Sequence, residues 1–322
     1  MAAFPPTQSH TQAVATAFPP TRRWNTATAI RFFRPLLRRG PGFSGHCCDG
    51  VQDFPAIAAI ALGEHLRSPP MERIFPDPEV LSSAVLEHDL LAAPPENRRS
   101  SRPWVSFNFI ASIDGAATVD GRSGQLGNPW DLRVFSLLRQ TADVILVGAQ
   151  TIRSEGYGGD LLGPEAQAWR TDNWLDPHPP LAIVSGSLNL DPGLEVFTQA
   201  PVRPLVLTLA SAPQERREAL SEVSDVVNVG DESLDVDRLV AELAGRGFKN
   251  IHSEGGPTLL GSFAAAGRVD ELNLTVSPVL VGGAAGRIAH GAHTEEAVRG
   301  MELARVLKAD SMLFLRYVRP AQ

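Results

Sequence analysis

The segment with most to say about chemistry is Ile251-His252-Ser253-Glu254-Gly255-Gly256-Pro257-Thr258-Leu259. A short apolar run ends, two glycines let the backbone approach a ligand closely, and Pro257 suits the first turn of a helix. Backbone N–H groups and the helix dipole would converge there on a phosphate. Taken alone, the junction suits an ordinary tight turn equally well. A second junction, Val147-Gly148-Ala149-Gln150-Thr151-Ile152, again passes from strand through glycine into a short helix. Two such junctions at the carboxyl ends of parallel strands predict opposite walls of one crevice. The glycine spacing is not G-x-G-x-x-G, which disfavours a standard Rossmann domain. An H-x-E with P-C-x-x-C is absent, so this chain holds no zinc deaminase, and the P-loop and G-x-S-x-G elbow are missing too. His252, on a strand, reads as structural.

The elements that must carry these junctions follow from the hydrophobic pattern. Trp104–Ile110 alternates Val105, Phe107 and Phe109 with Ser106 and Asn108, a strand pattern. Asn128 suits an N-cap, Pro129 the first helical position and Asp131 the positive end of the dipole, so a helix runs from there to about Thr141. Val144–Val147 is a buried strand. Further strands are predicted at 181–184, 205–209, 226–229 and 250–253, with helices at 213–222, 234–245 and 257–266. Strands at 271–277, 302–308 and 312–318 finish the chain, the last two paired as a hairpin that adds antiparallel strands at an edge. Apolar strands alternating with helices predict one α/β domain, its mostly parallel sheet covered on both faces.

Charge and composition bound the rest. Of the 322 residues, 43% are hydrophobic and 20% charged, ordinary for a globular protein. No apolar run reaches about 18 residues, so no membrane span is expected. Residues 1–70 hold seven arginines, no lysine and three acids, a balance of +4 against −7 for the whole chain; the remainder is −11. An acidic body argues against nucleic-acid binding. Cys47 and Cys48 are adjacent and alone, which builds neither a disulfide framework nor a zinc site. A body without disulfides fits the cytoplasm.

Residues 1–70, rich in Pro, Thr, Ala and Arg, lack sustained periodicity and are expected to be disordered or spurious, with Met71 as the true start. Arg22-Arg23 invites an export reading, but Arg31, Arg34, Arg38 and Arg39 break any apolar export core. Residues 71–101 read as an acidic lead-in, and 102–319 as the folded domain.

An ordered set of segments resembles the reductase (C-terminal) domain of bacterial bifunctional riboflavin-biosynthesis enzymes, especially its stand-alone actinobacterial branch. The set comprises Ala111-Ser112-Ile113-Asp114-Gly115, Leu137-Leu138-Arg139, Val147–Thr151, Glu254–Leu259, Val269-Asp270-Glu271-Leu272 and Pro278–Gly283, and the likeness spans 102–318. The resemblance implies a dihydrofolate-reductase-like fold, NADPH as hydride donor and commonly a homodimer. It implies reduction of a ribosylaminouracil phosphate to the ribityl compound. By position it assigns Ile110, Gln125, Gly148, Thr151, Glu155, Ser185, Gly255, Gly256, Pro257, Thr258 and Leu259, within the turn Gly256–Ser262, to the cofactor. Ser123, Arg139 and Glu254 fall to the pyrimidine nucleotide. Each has a structural alternative: Thr151 suits a helix cap, Glu155 a solvated loop, and Arg139 a solvated helix face. Ser185 and Ser187 could donate to a 2′-phosphate, but no arginine stands beside them in sequence, so NADPH over NADH rests on the resemblance. No metal is expected.

Two departures weaken the substrate half. Asn108 stands where the family typically has a lysine, and offers neutral hydrogen bonds only. The family's D-[DN]-P-x-L-x-x-R loop is replaced by Glu155-Gly156-Tyr157-Gly158-Gly159-Asp160-Leu161-Leu162, without the phosphate-binding arginine. Asn108 and Asp114 are the catalytic candidates, Asp114 also suiting a plain turn. Reduction of dihydrofolate or a related pterin is the alternative activity, and a non-catalytic NADPH-binding regulator the alternative class.

Overall fold

β-Branched and leucine-rich runs set the sheet. The computed structural model describes residues 70–91, 102–291 and 299–320, so nearly all of the 1–70 extension lies outside the described residues. The chain begins with β1 (Glu72–Phe75), β2 (Glu79–Val80) and α1 (Ser83–Leu91). Next come β3 (Trp104–Ser112), a 3-10 turn at Gly124–Leu126, α2 (Pro129–Gln140), β4 (Val144–Gly148), α3 (Ala149–Glu155) and α4 (Pro164–Asp172). The middle is β5 (Leu181–Val184), α5 (Glu195–Thr198), β6 (Leu205–Thr208), α6 (Gln214–Ser221), β7 (Asp225–Asn228), α7 (Val236–Gly245), β8 (Asn250–Ser253) and α8 (Pro257–Ala265). It closes with β9 (Glu271–Ser277), β10 (Glu302–Ala309) and β11 (Met312–Val318).

All eleven strands form one sheet in the order β2-β1-β10-β11-β9-β3-β8-β4-β5-β6-β7. From β9 to β7 every pairing is parallel, with β3 between β8 and β9. From β9 through β11, β10 and β1 to β2 every pairing is antiparallel.

Successive residues of β4 feed opposite cores, as a pleated strand requires. Val144 and Leu146 join Phe107, Leu207 and the buried faces of α7 and α8; Ile145 and Val147 join Ile183, Ile152 and Phe197 across the sheet. α7 shows why it lies where it does: Val236, Leu239, Val240 and Leu243 recur at helical spacing and all are buried. A third core joins α1 and α2 to the antiparallel half through Leu86, Leu90, Trp130, Val134, Leu307 and Phe314.

The two ends of the central fold are tied by one buried carboxylate. Asp270 accepts two hydrogen bonds from Arg102, at 2.6 and 2.7 Å, one from the Val105 N–H, and an ion pair from Arg319 at 2.8 Å. A buried charge so surrounded is compensated rather than costly.

Two expectations change. The terminal hairpin puts antiparallel strands on one side of the sheet as expected, but it is not outermost: β11 pairs β9, β10 pairs β1, and β1 and β2 extend the sheet beyond it. Nor does the folded domain begin at Arg102, because the lead-in supplies β1, β2 and α1, with Met71 buried. Strands of four and two residues are too short to show alternation, and the pairing of β1 with β10 and of β2 with β1 is decided only in space. Helix α4 was also illegible in sequence. Its buried Arg170 donates to the carbonyls of Gln140 and Ala142, supplying partners at the end of α2.

Candidate active site

A cleft of about 590 Å³ opens along the second half of β3 and the carboxyl ends of β4 and β8. The two glycine junctions meet on one side of it. Gly148 N–H donates to the Gly255 carbonyl at 2.7 Å, and Glu254 N–H to Leu146 at 2.9 Å. Gly255 has φ +82°, and a Cβ there would fall 2.5 Å from Phe109 Cζ, so glycine is required twice over. A Cβ on Gly256 would lie 2.9 Å from Thr151 Oγ1. Gly256 precedes Pro257 at the start of α8, and no side chain caps this helix. Gly256 and Pro257 line the cleft, so this uncapped helix start lies at its wall beside a backbone stripped of Cβ atoms. That arrangement fits a dinucleotide pyrophosphate.

Charge stands next to these junctions. Arg139, on α2, grips Glu254 at the end of β8 through Nε–Oε1 (2.5 Å) and Nη2–Oε2 (2.8 Å). Tyr157 donates its hydroxyl to Glu254 Oε2 at 2.5 Å. Arg139 also donates to the Leu161 carbonyl at 3.0 Å, and its guanidinium lies over the Phe135 ring at 4.3 Å. Burial pushes the Glu254 pKa up, but Arg139 and Tyr157 outweigh it and hold the carboxyl below its ordinary value. Burial next to that carboxylate drives the Tyr157 phenol well above its ordinary value. Both groups therefore stay in one protonation state at neutral pH, a fixed charged patch rather than a proton donor.

Of the residues marked in sequence, the cleft brings together Asn108, Ile110, Ser123, Arg139, Thr151, Glu155, Glu254, Gly256 and Pro257. Ser123, assigned to substrate, and Glu155, assigned to cofactor, bond to each other: the Ser123 N–H and hydroxyl both donate to Glu155 Oε1, at 2.9 and 3.0 Å. Gly148 and Gly255 stand behind the wall as its backbone support. Others lie elsewhere. Leu259 is buried in the apolar core, and Thr258 is exposed with its hydroxyl 3.4 Å from His290 Nε2. Gln125 is exposed in the 3-10 turn. Asp114 does not line the cleft. It bonds the Ser112 hydroxyl and the Val281 and Gly282 N–H groups, which pull its pKa down to about 2 and make it a turn staple.

Ser185 is buried at the end of β5, outside the cleft, where its N–H bonds Leu207 and its carbonyl accepts from Thr208. The nearby Ser187 carbonyl accepts a hydrogen bond from Arg216 of α6 at 3.0 Å. Folding thus places an arginine beside Ser187, which sequence neighbours alone did not.

Sequence reasoning left several cleft residues unassigned, and two of them are ionisable groups it had read otherwise. Tyr157 appeared only as part of a loop lacking arginine, and Asp131 only as a helix-dipole residue; both line the cleft.

A cleft along the carboxyl ends of parallel strands, lined by a glycine turn and a charged cluster, is where α/β enzymes hold their ligands. The RibD C-terminal domain family matches residues 103–313, and the chain belongs to that family. It is 30% identical over 183 residues to the 2,5-diamino-6-ribosylamino-4(3H)-pyrimidinone 5′-phosphate reductase of Methanothermobacter thermautotrophicus, covering 56% of this chain and 81% of that one. The enzyme of the same name from Archaeoglobus fulgidus is 27% identical over 56% of this chain and 83% of its own. Among solved structures, a pyrimidine reductase-like protein of Corynebacterium diphtheriae superposes with TM-score 0.65 at 27% identity, covering 73% of this chain and 99% of that one. The fold is the dihydrofolate-reductase-like one of these reductase domains. The family implies a nicotinamide cofactor.

Proposed function

We propose that this chain is a pyrimidine reductase that uses NADPH to reduce the opened sugar of a ribosylaminopyrimidine phosphate to its ribityl form. The observation that carries this reading is the cleft itself, which is lined by Gly256 and Pro257 of the Cβ-free turn together with the Arg139–Glu254–Tyr157 cluster. The bound cofactor supplies the hydride. The protein's part is to hold the acceptor and exclude water. Gly256, Pro257 and the start of α8 would hold the pyrophosphate, with Thr151 against it. Glu254 presents acceptor oxygens to the pyrimidine N–H groups, and Arg139 fixes their orientation. Arg216, beside the exposed Ser187, supports NADPH over NADH, since a guanidinium fits a 2′-phosphate.

Asn108 and Tyr157 stand where the family's lysine and phosphate loop would act, so the substrate phosphate meets fewer cations. The chain is expected to bind its acceptor less tightly than relatives that keep that arginine, by the 1.5–3 kcal/mol of roughly one charged hydrogen bond. Assembly as a homodimer follows the family and is checked by light scattering.

The test is NADPH oxidation at 340 nm with three acceptors: the 5-amino-6-ribosylaminouracil phosphate, its 2,5-diamino-pyrimidinone counterpart, and dihydrofolate. A ribityl product from either ribosylamino compound, identified by mass, supports the proposal. Turnover of dihydrofolate alone points to a pterin reductase. Tight NADPH binding with no turnover points to a regulator.

A further inference from the structure

The walls of the cleft are a poor place for a phosphate. Four carboxyls line it, Asp131, Glu155, Asp160 and Glu254, against one cation, Arg139, and Glu254 already holds that guanidinium. A phosphomonoester carries roughly two negative charges at neutral pH, so contact with these walls is unfavourable. Away from the helix start at Pro257, a phosphate is better placed at the mouth, where a cation can meet it.

One stretch of the lip is built to present such a side chain. Thr118, Gly121 and Ser123 line the cleft, and Arg122 stands between the last two. The Val119 and Arg122 backbones exchange hydrogen bonds at 3.0 and 2.9 Å. Between them lie Asp120 (φ +48°) and Gly121 (φ +79°), the two left-handed residues of a type I′ turn. On the other side of Arg122, the Ser123 N–H and hydroxyl are pinned to Glu155. The Arg122 backbone is thus held from both directions. Its side chain is exposed and makes no hydrogen bond or ion pair among the described residues. A second such arginine stands at the same lip. The N–H of Ala117, a cleft residue, donates to the Gly286 carbonyl at 2.8 Å. Arg287, next in the chain, is likewise exposed and without a partner among the described residues. Other arginines nearby are committed: Arg133 pairs with Glu87, and Arg153 donates to Gln150 and to the Asn189 carbonyl.

We propose that Arg122, with Arg287 and the Thr118 hydroxyl beside it, forms a phosphomonoester site at the cleft mouth that recognises the phosphate of the acceptor. The assignment deepens the reductase reading above and rests on it. It supplies from the lip the cation that the 155–162 loop lacks. An exposed ion pair is weaker than a buried one and is screened by salt, so this contact gives a preference for phosphorylated acceptors that fades as ionic strength rises. The 2′-phosphate of NADPH has the same chemistry, and the test separates the two sources.

The test uses the full chain and compares each ribosylaminopyrimidine phosphate with its dephosphorylated counterpart. Arg122→Gln should raise KM for the phosphorylated acceptor at least about tenfold, with kcat changed less than about threefold. For the dephosphorylated acceptor kcat/KM should stay within about threefold of wild type. Arg122→Lys, which keeps the charge, should recover most of the loss. Raising salt from about 50 to 300 mM should raise the wild-type KM for the phosphorylated acceptor alone. Independently of turnover, 31P NMR titration of ribose 5-phosphate, with oxidised cofactor bound, should show binding to wild type and at least about tenfold weaker binding to Arg122→Gln. An unchanged KM in the folded variant, with wild type active, overturns the assignment and leaves the reductase reading intact. A loss confined to the preference for NADPH over NADH gives the arginine to the cofactor and also overturns it. If the wild type reduces neither compound, the reductase reading fails and the 31P titration decides. Binding lost in the variant then supports a phosphomonoester site for another acceptor, and equal binding, or none, removes it.

Discussion

Replacing Arg139 by methionine isolates the electrostatics of the cleft. The side chain keeps its length while Glu254, 2% exposed, loses both guanidinium hydrogen bonds and the cation paired with it. Breaking a buried pair by removing one partner costs about 3–5 kcal/mol. Loss of the donor to the Leu161 carbonyl and of the stack on Phe135 pushes toward the upper end. The loss must depend on pH. With Arg139 present the Glu254 pKa is lowered, so its contribution is complete above the ordinary glutamate range and unchanged between pH 5 and 8. Without Arg139, burial dominates and raises that pKa above the unfolded value. The variant then gains stability as pH falls, by about 1.4 kcal/mol per pH unit while the folded carboxyl is protonated and the unfolded one is not. Urea unfolding at pH 5 and pH 8 should show the deficit narrowing by at least about 1.4 kcal/mol at the lower pH. Adding Glu254→Gln should recover a similar amount at pH 8, since no buried charge remains. A deficit under about 1 kcal/mol, equal at both pH values, refutes the buried-anchor account.

Gly256→Val brings a Cβ to 2.9 Å from Thr151 Oγ1 and branches it into the proposed pyrophosphate space; NADPH affinity by titration should drop at least about tenfold while the protein stays folded. Arg216→Ala should weaken NADPH binding by about tenfold and leave NADH binding unchanged, as expected if its exposed guanidinium meets a 2′-phosphate. Deleting residues 1–69 should leave the melting temperature unchanged. Deleting 1–101 should unfold or aggregate the protein, because it removes Met71, Leu86 and Leu90 from a core, roughly 1.5–3 kcal/mol each, and bares the edge of β10.

The parallel half of the fold was legible because each strand and helix there carries its own periodic signal. Val144–Val147 reads as a buried strand from four residues, and Asn128-Pro129 marks a helix start that the structure keeps, with the Asn128 side chain accepting from the Trp130 and Asp131 N–H groups. The glycine junctions were legible too, since close backbone approach leaves a local mark on residue type. β1, β2 and α4 were not, because short elements are selected by partners far along the chain. The side chains of the cleft divide in the same way. Sequence position alone marked Arg139 and Glu254 as candidates, but their mutual grip across 115 positions, with Tyr157 as third member, exists only after folding. Asp131 is the sharpest case. At the start of a helix a carboxyl is normally ionised and solvated, and nothing local says otherwise. Its place in the cleft wall, where partial burial raises the pKa of its carboxyl, is what reverses that expectation. Periodicity and backbone conformation are written into neighbouring residues, whereas solvation and charge pairing are properties of the space that distant segments enclose.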